Sequence, residues 1–136
     1  MNISHVEHIG VAVKSLAEAI PFWEAKLGIP LYKTEEVAEQ KVRVAFFKIG
    51  QTKIELLEST TPDGPIAKYI EKNGQGIQHV ALAVTGLQDA LNELAAKDVA
   101  LIDKAPRKGA DGLDIAFVHP KSAGLLLELC EDPNAK

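Results

Sequence analysis

His8-Ile9-Gly10-Val11-Ala12-Val13 is repeated 71 residues later as His79-Val80-Ala81-Leu82-Ala83-Val84. Two further segments match in the same order: Arg43-Val44-Ala45-Phe46 with Asp114-Ile115-Ala116-Phe117, and Ile54-Glu55-Leu56-Leu57-Glu58 with Leu127-Glu128-Leu129-Cys130-Glu131. The spacing is 71 residues for the first of these and 73 for the second. The two extra residues fall in a turn, where insertions are tolerated. A repeat of this length predicts two copies of one structural unit.

Each copy is predicted to contain a strand, a helix and three further strands, because alternating β-branched runs surround a segment with helical periodicity. Ser15 is a suitable N-cap for the first helix, and Gly28 and Pro30 would end it. The predicted elements are strand 4–13, helix 15–27 and strands 29–34, 41–49 and 52–58, then strand 77–84, helix 87–97 and strands 99–103, 113–118 and 124–130.

These elements predict an α+β fold made of two βαβββ modules related by pseudo-twofold symmetry. The modules cover about residues 4–60 and 76–131, and a linker with a short helix, residues 61–75, joins them within a single domain 1–136. Each module of roughly 65 residues would be marginally stable alone. We therefore expect the two modules to pack into one body.

The composition of the chain argues against several classes of function. The 136 residues are 46% hydrophobic and 25% charged, as in an ordinary globular protein, and the net charge of -4 argues against nucleic-acid binding. A single cysteine excludes an internal disulfide. We find neither a signal-peptide pattern nor an apolar run of about 20 residues, so we expect no membrane association and a cytoplasmic location.

Both repeated histidines are candidate ligands. Because strand side chains alternate, His8 shares a face with Gly10 and Ala12, and His79 shares one with Ala81 and Ala83. A single histidine on an apolar strand is more often structural. Two histidines at equivalent repeat positions, each beside small residues, favour a cavity lined by both.

Glu55 and Glu128 are also equivalent, and each lies within an apolar strand. A carboxylate at such a position is either exposed on a solvated face or paired. Pseudo-twofold symmetry would bring both glutamates to both histidines. Two imidazoles and two carboxylates suit one divalent metal ion per chain, with positions left open for substrate.

The sequence resembles the methylmalonyl-CoA epimerase family within the vicinal-oxygen-chelate superfamily, which has the glyoxalase/bleomycin-resistance-like fold. The resemblance covers nearly the whole chain. It is carried by the two histidine segments, by Glu55-Leu56-Leu57-Glu58, by Gly109-Ala110-Asp111-Gly112 and, most specifically, by His119-Pro120-Lys121-Ser122 running into Leu125–Leu129.

The resemblance implies metal-dependent epimerisation of (2R)- and (2S)-methylmalonyl-CoA. The α-proton of this acyl-CoA thioester would be removed and returned through a metal-stabilised enolate. The implied ion is Co²⁺ or Mn²⁺, held by His8, Glu55, His79 and Glu128, and Glu128 is our candidate catalytic base. We also expect a homodimer.

Two departures from the family pattern bear on the site. Val44 stands where some relatives carry a glutamate proposed as the second base, which leaves Glu39 as a weak alternative. Asp114 stands where relatives commonly carry a basic residue, so the residues that contact CoA are not identified.

Other functions fit the same fold. A glyoxalase-I-type isomerase of a glutathione hemithioacetal would use the same ligand set. An extradiol dioxygenase would use two histidines and one glutamate, in a chain that is usually longer. A non-catalytic drug-binding protein of the bleomycin-resistance type would need no ligand set at all.

Overall fold

A computed structural model describes residues 1–134 of the chain. Within these residues the elements are β1 (Asn2–Ala12), α1 (Leu16–Pro21), β2 (Leu31–Val37), β3 (Val42–Ile49), β4 (Thr52–Ser59), α2 (Pro65–Asn73), β5 (Gly76–Thr85), α3 (Leu87–Ala96), β6 (Arg107–Lys108), β7 (Asp114–Val118), α4 (Pro120–Ala123) and β8 (Leu127–Glu131). Apart from α2 and α4, a strand, a helix and three strands occur twice in that order. This order confirms the predicted fold class.

The chain divides into two compact units, of which the first is His8–Gln78. Its strands follow the order β2-β3-β4-β1, with β1 parallel to β4 and the other neighbours antiparallel. In the parallel pair, His8 lies opposite Lys53 and Gly10 opposite Glu55. The other face of this sheet packs under α1, in a core built on Val13, Leu16, Ala45, Phe47 and Leu56.

The second unit combines residues 1–7 with the chain from His79 onward. Its strands follow the order β1-β5-β8-β7-β6, so β1 contributes to both units. Ser4 Oγ donates a hydrogen bond to the carbonyl of Ala83 across 3.5 Å. β5 runs parallel to β8, and Ala81 lies opposite Glu128. The predicted domain and module boundaries stay predictions, and residues 135 and 136 of that domain lie outside the described part of the chain.

The first helix begins as predicted and then changes its winding. Ser15 caps it by accepting a hydrogen bond from the N–H of Glu18. After Pro21, the segment Phe22–Lys26 forms a π-helical turn in which the N–H of Leu27 bonds the carbonyl of Phe22. Trp23 packs on Phe47 with ring centroids 6.0 Å apart. Trp23 therefore packs against the core of this unit, whereas Phe22 is exposed.

The predicted strand 99–103 is wrong. Only an isolated bridge joins Leu101 to Val118, and the side chain of Asp103 accepts a hydrogen bond from the N–H of Phe117 at 2.9 Å. A carboxylate thus replaces the backbone carbonyl that a regular ladder would supply. The edge strand is instead β6, the two residues Arg107 and Lys108.

The last predicted strand, 124–130, begins later than expected. Pro120–Ala123 forms the short helix α4, which His119 caps and which ends at Gly124 with φ +82°. Proline favours the first position of a helix, and glycine readily adopts the left-handed conformation that ends it. None of the helices within residues 1–134 has the length and apolar character needed to cross a bilayer.

Candidate functional site

One histidine–glutamate pair lies in the first unit. His8 on β1 and Glu55 on β4 are both buried, with 4% and 3% exposure, and His8 Nδ1 lies 3.2 Å from Glu55 Oε2. The register of the two parallel strands sets this contact, because Glu55 lies opposite Gly10, two residues along β1 from the histidine. The absence of a side chain at Gly10 leaves space above the sheet for both groups.

The second unit contains the equivalent pair. His79 on β5 and Glu128 on β8 are 6% and 3% exposed, and His79 Nε2 lies 3.5 Å from Glu128 Oε1. Glu128 lies opposite Ala81, again two residues along the strand from its histidine. The repeat therefore places a histidine beside its own glutamate in each unit, next to a small residue.

An equivalent phenylalanine lies beside each glutamate. Phe46 on β3 is opposite Glu55, and Phe117 on β7 is opposite Glu128. The ring of Phe117 meets that of His79 edge to face, with centroids 5.8 Å apart. Such packing restricts the orientation of the imidazole, which favours a site that is formed before a ligand arrives.

The four side chains fit a divalent ion by their chemistry. Imidazole nitrogens and carboxylate oxygens together suit Mn²⁺, Co²⁺ and neighbouring ions, and two carboxylates balance the charge of a dication. Charged side chains are seldom buried unless they are paired or bind metal. Within each unit, the pair is buried and its donor atoms face each other.

Three further residues are not part of the two pairs. Glu39 is exposed on a 3-10 turn, Ala38–Gln40, rather than on a strand beside Glu55. Val44 is 1% exposed and contributes an apolar side chain to the protein interior. Cys130 is buried and its thiol contacts the carbonyl of Leu82 at 3.5 Å, as expected for a small core residue.

Asp114, which stands where relatives commonly carry a basic residue, pairs with a lysine of a neighbouring strand. Asp114 Oδ1 lies 2.6 Å from Lys108 Nζ on the neighbouring strand β6. The guanidinium of Arg107 lies 5.4 Å from the ring centroid of Phe117, near the second histidine–glutamate pair. Positive charge is therefore present around Asp114, although it comes from β6 rather than from position 114.

Sequence reasoning missed Lys53. This lysine is 6% exposed and lies on the same face of β4 as Glu55, two residues away. The strand alternation that identified Glu55 would have identified Lys53 too. Comparison of the two halves does not identify it, because its equivalent in the other half, position 126, is a leucine.

Comparison with known proteins places this fold and site in a family. Residues 7–117 match the Glyoxalase/Bleomycin resistance protein/Dioxygenase superfamily. The chain belongs to this superfamily. One relative in it is the uncharacterised protein YqjC of Bacillus subtilis, which is 45% identical over 95% of this chain and 93% of its own length.

Several other proteins that resemble the chain are epimerases. The human mitochondrial methylmalonyl-CoA epimerase is 32% identical over 94% of this chain and 74% of its own length. A methylmalonyl-CoA epimerase of Streptomyces coelicolor, solved as a variant in complex with 2-nitronate-propionyl-CoA, is 32% identical with a TM-score of 0.94. That alignment covers 99% of both chains. Membership of the superfamily and similarity to methylmalonyl-CoA epimerases confirm the family resemblance identified from the sequence.

Proposed function

We propose that the protein is a metal-dependent methylmalonyl-CoA epimerase. The observation that carries this proposal is the pair of repeat-equivalent, buried histidine–glutamate contacts, His8 with Glu55 and His79 with Glu128. The similarity to epimerases over nearly the whole chain supports the same reaction. The substrate class that follows is an acyl-CoA thioester with a free carboxylate on its α-carbon.

The proposed metal site contains all four side chains of the two pairs, one ion per chain. When bound, a divalent ion would act as a Lewis acid toward the thioester and carboxylate oxygens and so favour loss of the α-proton. The residues supply four donors and two negative charges, and their fixed packing would hold those donors without further rearrangement.

Glu128 is proposed to move the α-proton. Inversion by direct transfer needs one group to remove a proton from one side of the carbon and another to return a proton to the opposite side. A carboxylate can do the first while its second oxygen stays a ligand. The group on the opposite side is not assigned, because Val44 cannot titrate and Glu39 is exposed on its turn.

Exchange at the α-carbon tests the proposal against its nearest rivals. In deuterium oxide, the metal-loaded protein should introduce deuterium into methylmalonyl-CoA and interconvert its two epimers. A hemithioacetal of glutathione and methylglyoxal should remain unchanged. Turnover of the hemithioacetal alone would assign a glyoxalase-type isomerase, and no turnover of either compound would favour a binding protein.

Several finer properties remain predictions. These are the choice between Co²⁺ and Mn²⁺, the homodimer and the cytoplasmic location. Sedimentation of the metal-loaded protein, compared with the chain mass of 14.6 kDa, would decide the oligomeric state. Metal analysis of protein purified without chelator would identify the ion.

A further inference from the structure

We propose that Arg107 binds a phosphate of the coenzyme A part of the substrate, from the edge of the sheet in the second unit. We define the guanidinium site as Arg107, Asp103 and Phe117. The inference rests on the proposed function and extends it, because it assigns a residue to the part of an acyl-CoA thioester that is remote from the reacting carbon.

Arg107 lies on the sheet face that carries the second histidine–glutamate pair. It is opposite Ile115 across the antiparallel β6–β7 contact, and Phe117 follows two residues later on β7. Phe117 is in turn opposite Glu128 on β8. Paired residues of neighbouring strands share a face, as do alternate residues of one strand. The side chains of all four residues therefore project from one face.

One aromatic ring contacts both the guanidinium and the imidazole. The Cζ atom of Arg107 lies 5.4 Å from the ring centroid of Phe117, and the ring centroid of His79 lies 5.8 Å from the same point. A guanidinium over an aromatic ring is held there by cation–π attraction. A ligand bound at His79 therefore has a guanidinium at the next side chain.

Asp103 fixes the orientation of the guanidinium. Its Oδ2 atom accepts a hydrogen bond from Nε of Arg107 at 3.3 Å and another from the backbone N–H of Phe117 at 2.9 Å. Within residues 1–134, Arg107 makes no other hydrogen bond or ion pair. Its Nη1 and Nη2 groups therefore keep their donors for a ligand. Two parallel N–H groups of a guanidinium match the spacing of two oxygens in a phosphate or a carboxylate.

Direct hydrogen bonds, rather than net charge, would provide most of the binding. The Arg107 side chain is 46% exposed, and the carboxylate of Asp103 beside it balances its charge. Water and the carboxylate weaken the attraction between such a cation and a distant anion. Hydrogen bonds to a charged oxygen act at short range and depend on geometry. We therefore expect a moderate contribution, about 10-fold in affinity.

The first unit carries the opposite charge at the equivalent position. Val44 is equivalent to Ile115 in the repeat, and Glu35 on the edge strand β2 lies opposite Val44. Glu35 therefore takes the place of Arg107 in the first unit. Because one edge strand accommodates a glutamate where the other has an arginine, folding of the unit does not require a cation there. The reversal is expected if only the second unit meets an anionic part of the ligand.

The position of Arg107 favours a phosphate over the free carboxylate of the substrate. In the proposed reaction, that carboxylate is bound at the metal together with the thioester oxygen. β7 separates β6 from β8, so the backbone of Arg107 lies about 10 Å from the strand that carries Glu128. CoA carries its phosphates beyond a long pantetheine chain, remote from the thioester. The edge of the sheet therefore suits the phosphates, and the experiment separates the two anions.

Two ligands that each carry one kind of anion test the assignment. Propionyl-CoA has the phosphates without the carboxylate, and S-malonyl-pantetheine has the carboxylate without any phosphate. We expect Arg107→Gln in the metal-loaded protein to weaken propionyl-CoA binding by about 10-fold, the effect of losing one charge-assisted contact. Binding of S-malonyl-pantetheine should change by less than about 2-fold, because an exposed cation is screened from a distant anion. Isothermal titration calorimetry measures both.

Lys108→Gln is the matched control. Lys108 follows Arg107 on β6, so its side chain projects from the opposite face, where it is exposed and paired with Asp114. The substitution removes one positive charge from the same strand, yet both affinities should stay within about 2-fold of wild type. Equal losses of propionyl-CoA binding in Lys108→Gln and Arg107→Gln would overturn the guanidinium site in favour of a diffuse charge effect.

The remaining outcomes for Arg107 also decide. Loss of S-malonyl-pantetheine binding alone would overturn the phosphate assignment and place Arg107 at the carboxylate. Unchanged binding of both ligands, or equal losses for both, would overturn the proposal. If Arg107→Gln does not melt cooperatively, Arg107→Lys replaces it. An ammonium lacks the two parallel donors, so propionyl-CoA binding should still weaken by at least about 3-fold, and wild-type affinity would overturn the guanidinium site.

The proposed function can fail separately from the phosphate site. Exchange of the α-proton of methylmalonyl-CoA is measured on the same preparations of wild type and Arg107→Gln. Arg107-dependent binding of propionyl-CoA by a wild-type protein that does not exchange the proton would reject the epimerase and retain the phosphate site. Exchange by wild type, with propionyl-CoA affinity unchanged in Arg107→Gln, would retain the epimerase and overturn the phosphate site.

Discussion

The carboxylate of Glu131 accepts a hydrogen bond from the backbone N–H of Leu87, at 2.9 Å. The same carboxylate accepts a second from Gly86, at 2.7 Å. In the other unit, the equivalent Glu58 accepts one from Leu16 at 2.7 Å. The first turn of a helix has N–H groups without helical partners and a partial positive charge. In both units, therefore, a glutamate at the end of the last strand fixes the start of the helix.

Replacing these glutamates should lower stability unequally. Glu131→Ala should reduce the free energy of unfolding by about 2 to 3 kcal/mol, because Gly86, the N-cap of α3, has no side chain with which to replace either bond. Glu58→Ala should cost about 1 to 2 kcal/mol, because Ser15 still caps α1. Urea denaturation followed by circular dichroism measures both. A larger loss in Glu58→Ala would contradict this account of the caps.

The histidines should control metal binding together. Wild-type protein should bind about one Mn²⁺ or Co²⁺ per chain, and His8→Ala or His79→Ala should each weaken binding by at least ~100-fold, because each removes a proposed ligand. Titration with the ion and elemental analysis measure the effect.

His119→Ala is the control for this prediction, since His119 is exposed and caps α4. It should leave metal binding unchanged. If only one of the two substitutions weakened metal binding, the two histidine–glutamate pairs would be separate sites. Wild-type affinity in both variants would remove the histidines from the metal site.

Gly109 should be intolerant of a side chain. A Cβ atom at this position would lie 2.6 Å from Cγ2 of Ile115, which is buried on β7. Gly109→Ala should therefore lower the free energy of unfolding by about 1 to 3 kcal/mol through overpacking. Thermal and urea unfolding measure this. In an Ile115→Ala background the same substitution should cost much less, and an equal cost in both backgrounds would contradict the packing explanation.

The repeat allowed the residues of the two histidine–glutamate pairs to be identified from the sequence. The alternation of β1 and β5 placed His8 and His79 beside small residues, and the matching of Glu55 with Glu128 placed the carboxylates on equivalent strands. Period-two alternation is a strict geometric property of a strand, so one register fixes every side chain on it. Burial of all four side chains agrees with that inference.

Features without this symmetry were harder to predict. The strand expected at 99–103 is a loop because the side chain of Asp103 takes over a backbone hydrogen bond, which hydrophobic alternation cannot reveal. The buried Lys53 has no counterpart in the repeat, because its equivalent is Leu126. Comparison of two repeats detects the residues that both units share. It does not detect a residue that is present in only one of them.

Glu128→Gln separates proton transfer from metal binding. An amide oxygen can still coordinate an ion but does not accept the α-proton, so we expect metal largely retained when supplied in excess. Epimerisation should fall by at least ~100-fold, the scale of losing a general base. The measurements are metal content, and α-deuterium incorporation into methylmalonyl-CoA at saturating metal.

Glu55→Gln provides the matched comparison, because Glu55 makes the equivalent contact with its own histidine and sits equally deep, at 3% exposure. Both substitutions remove one negative charge from the proposed metal site, so a purely electrostatic role would lower the two rates alike. A role for Glu128 in proton transfer predicts a milder effect for Glu55→Gln. Comparable rates for Glu128→Gln and wild type would exclude Glu128 from the proton path. Equal, large losses in both variants would reduce Glu128 to a ligand.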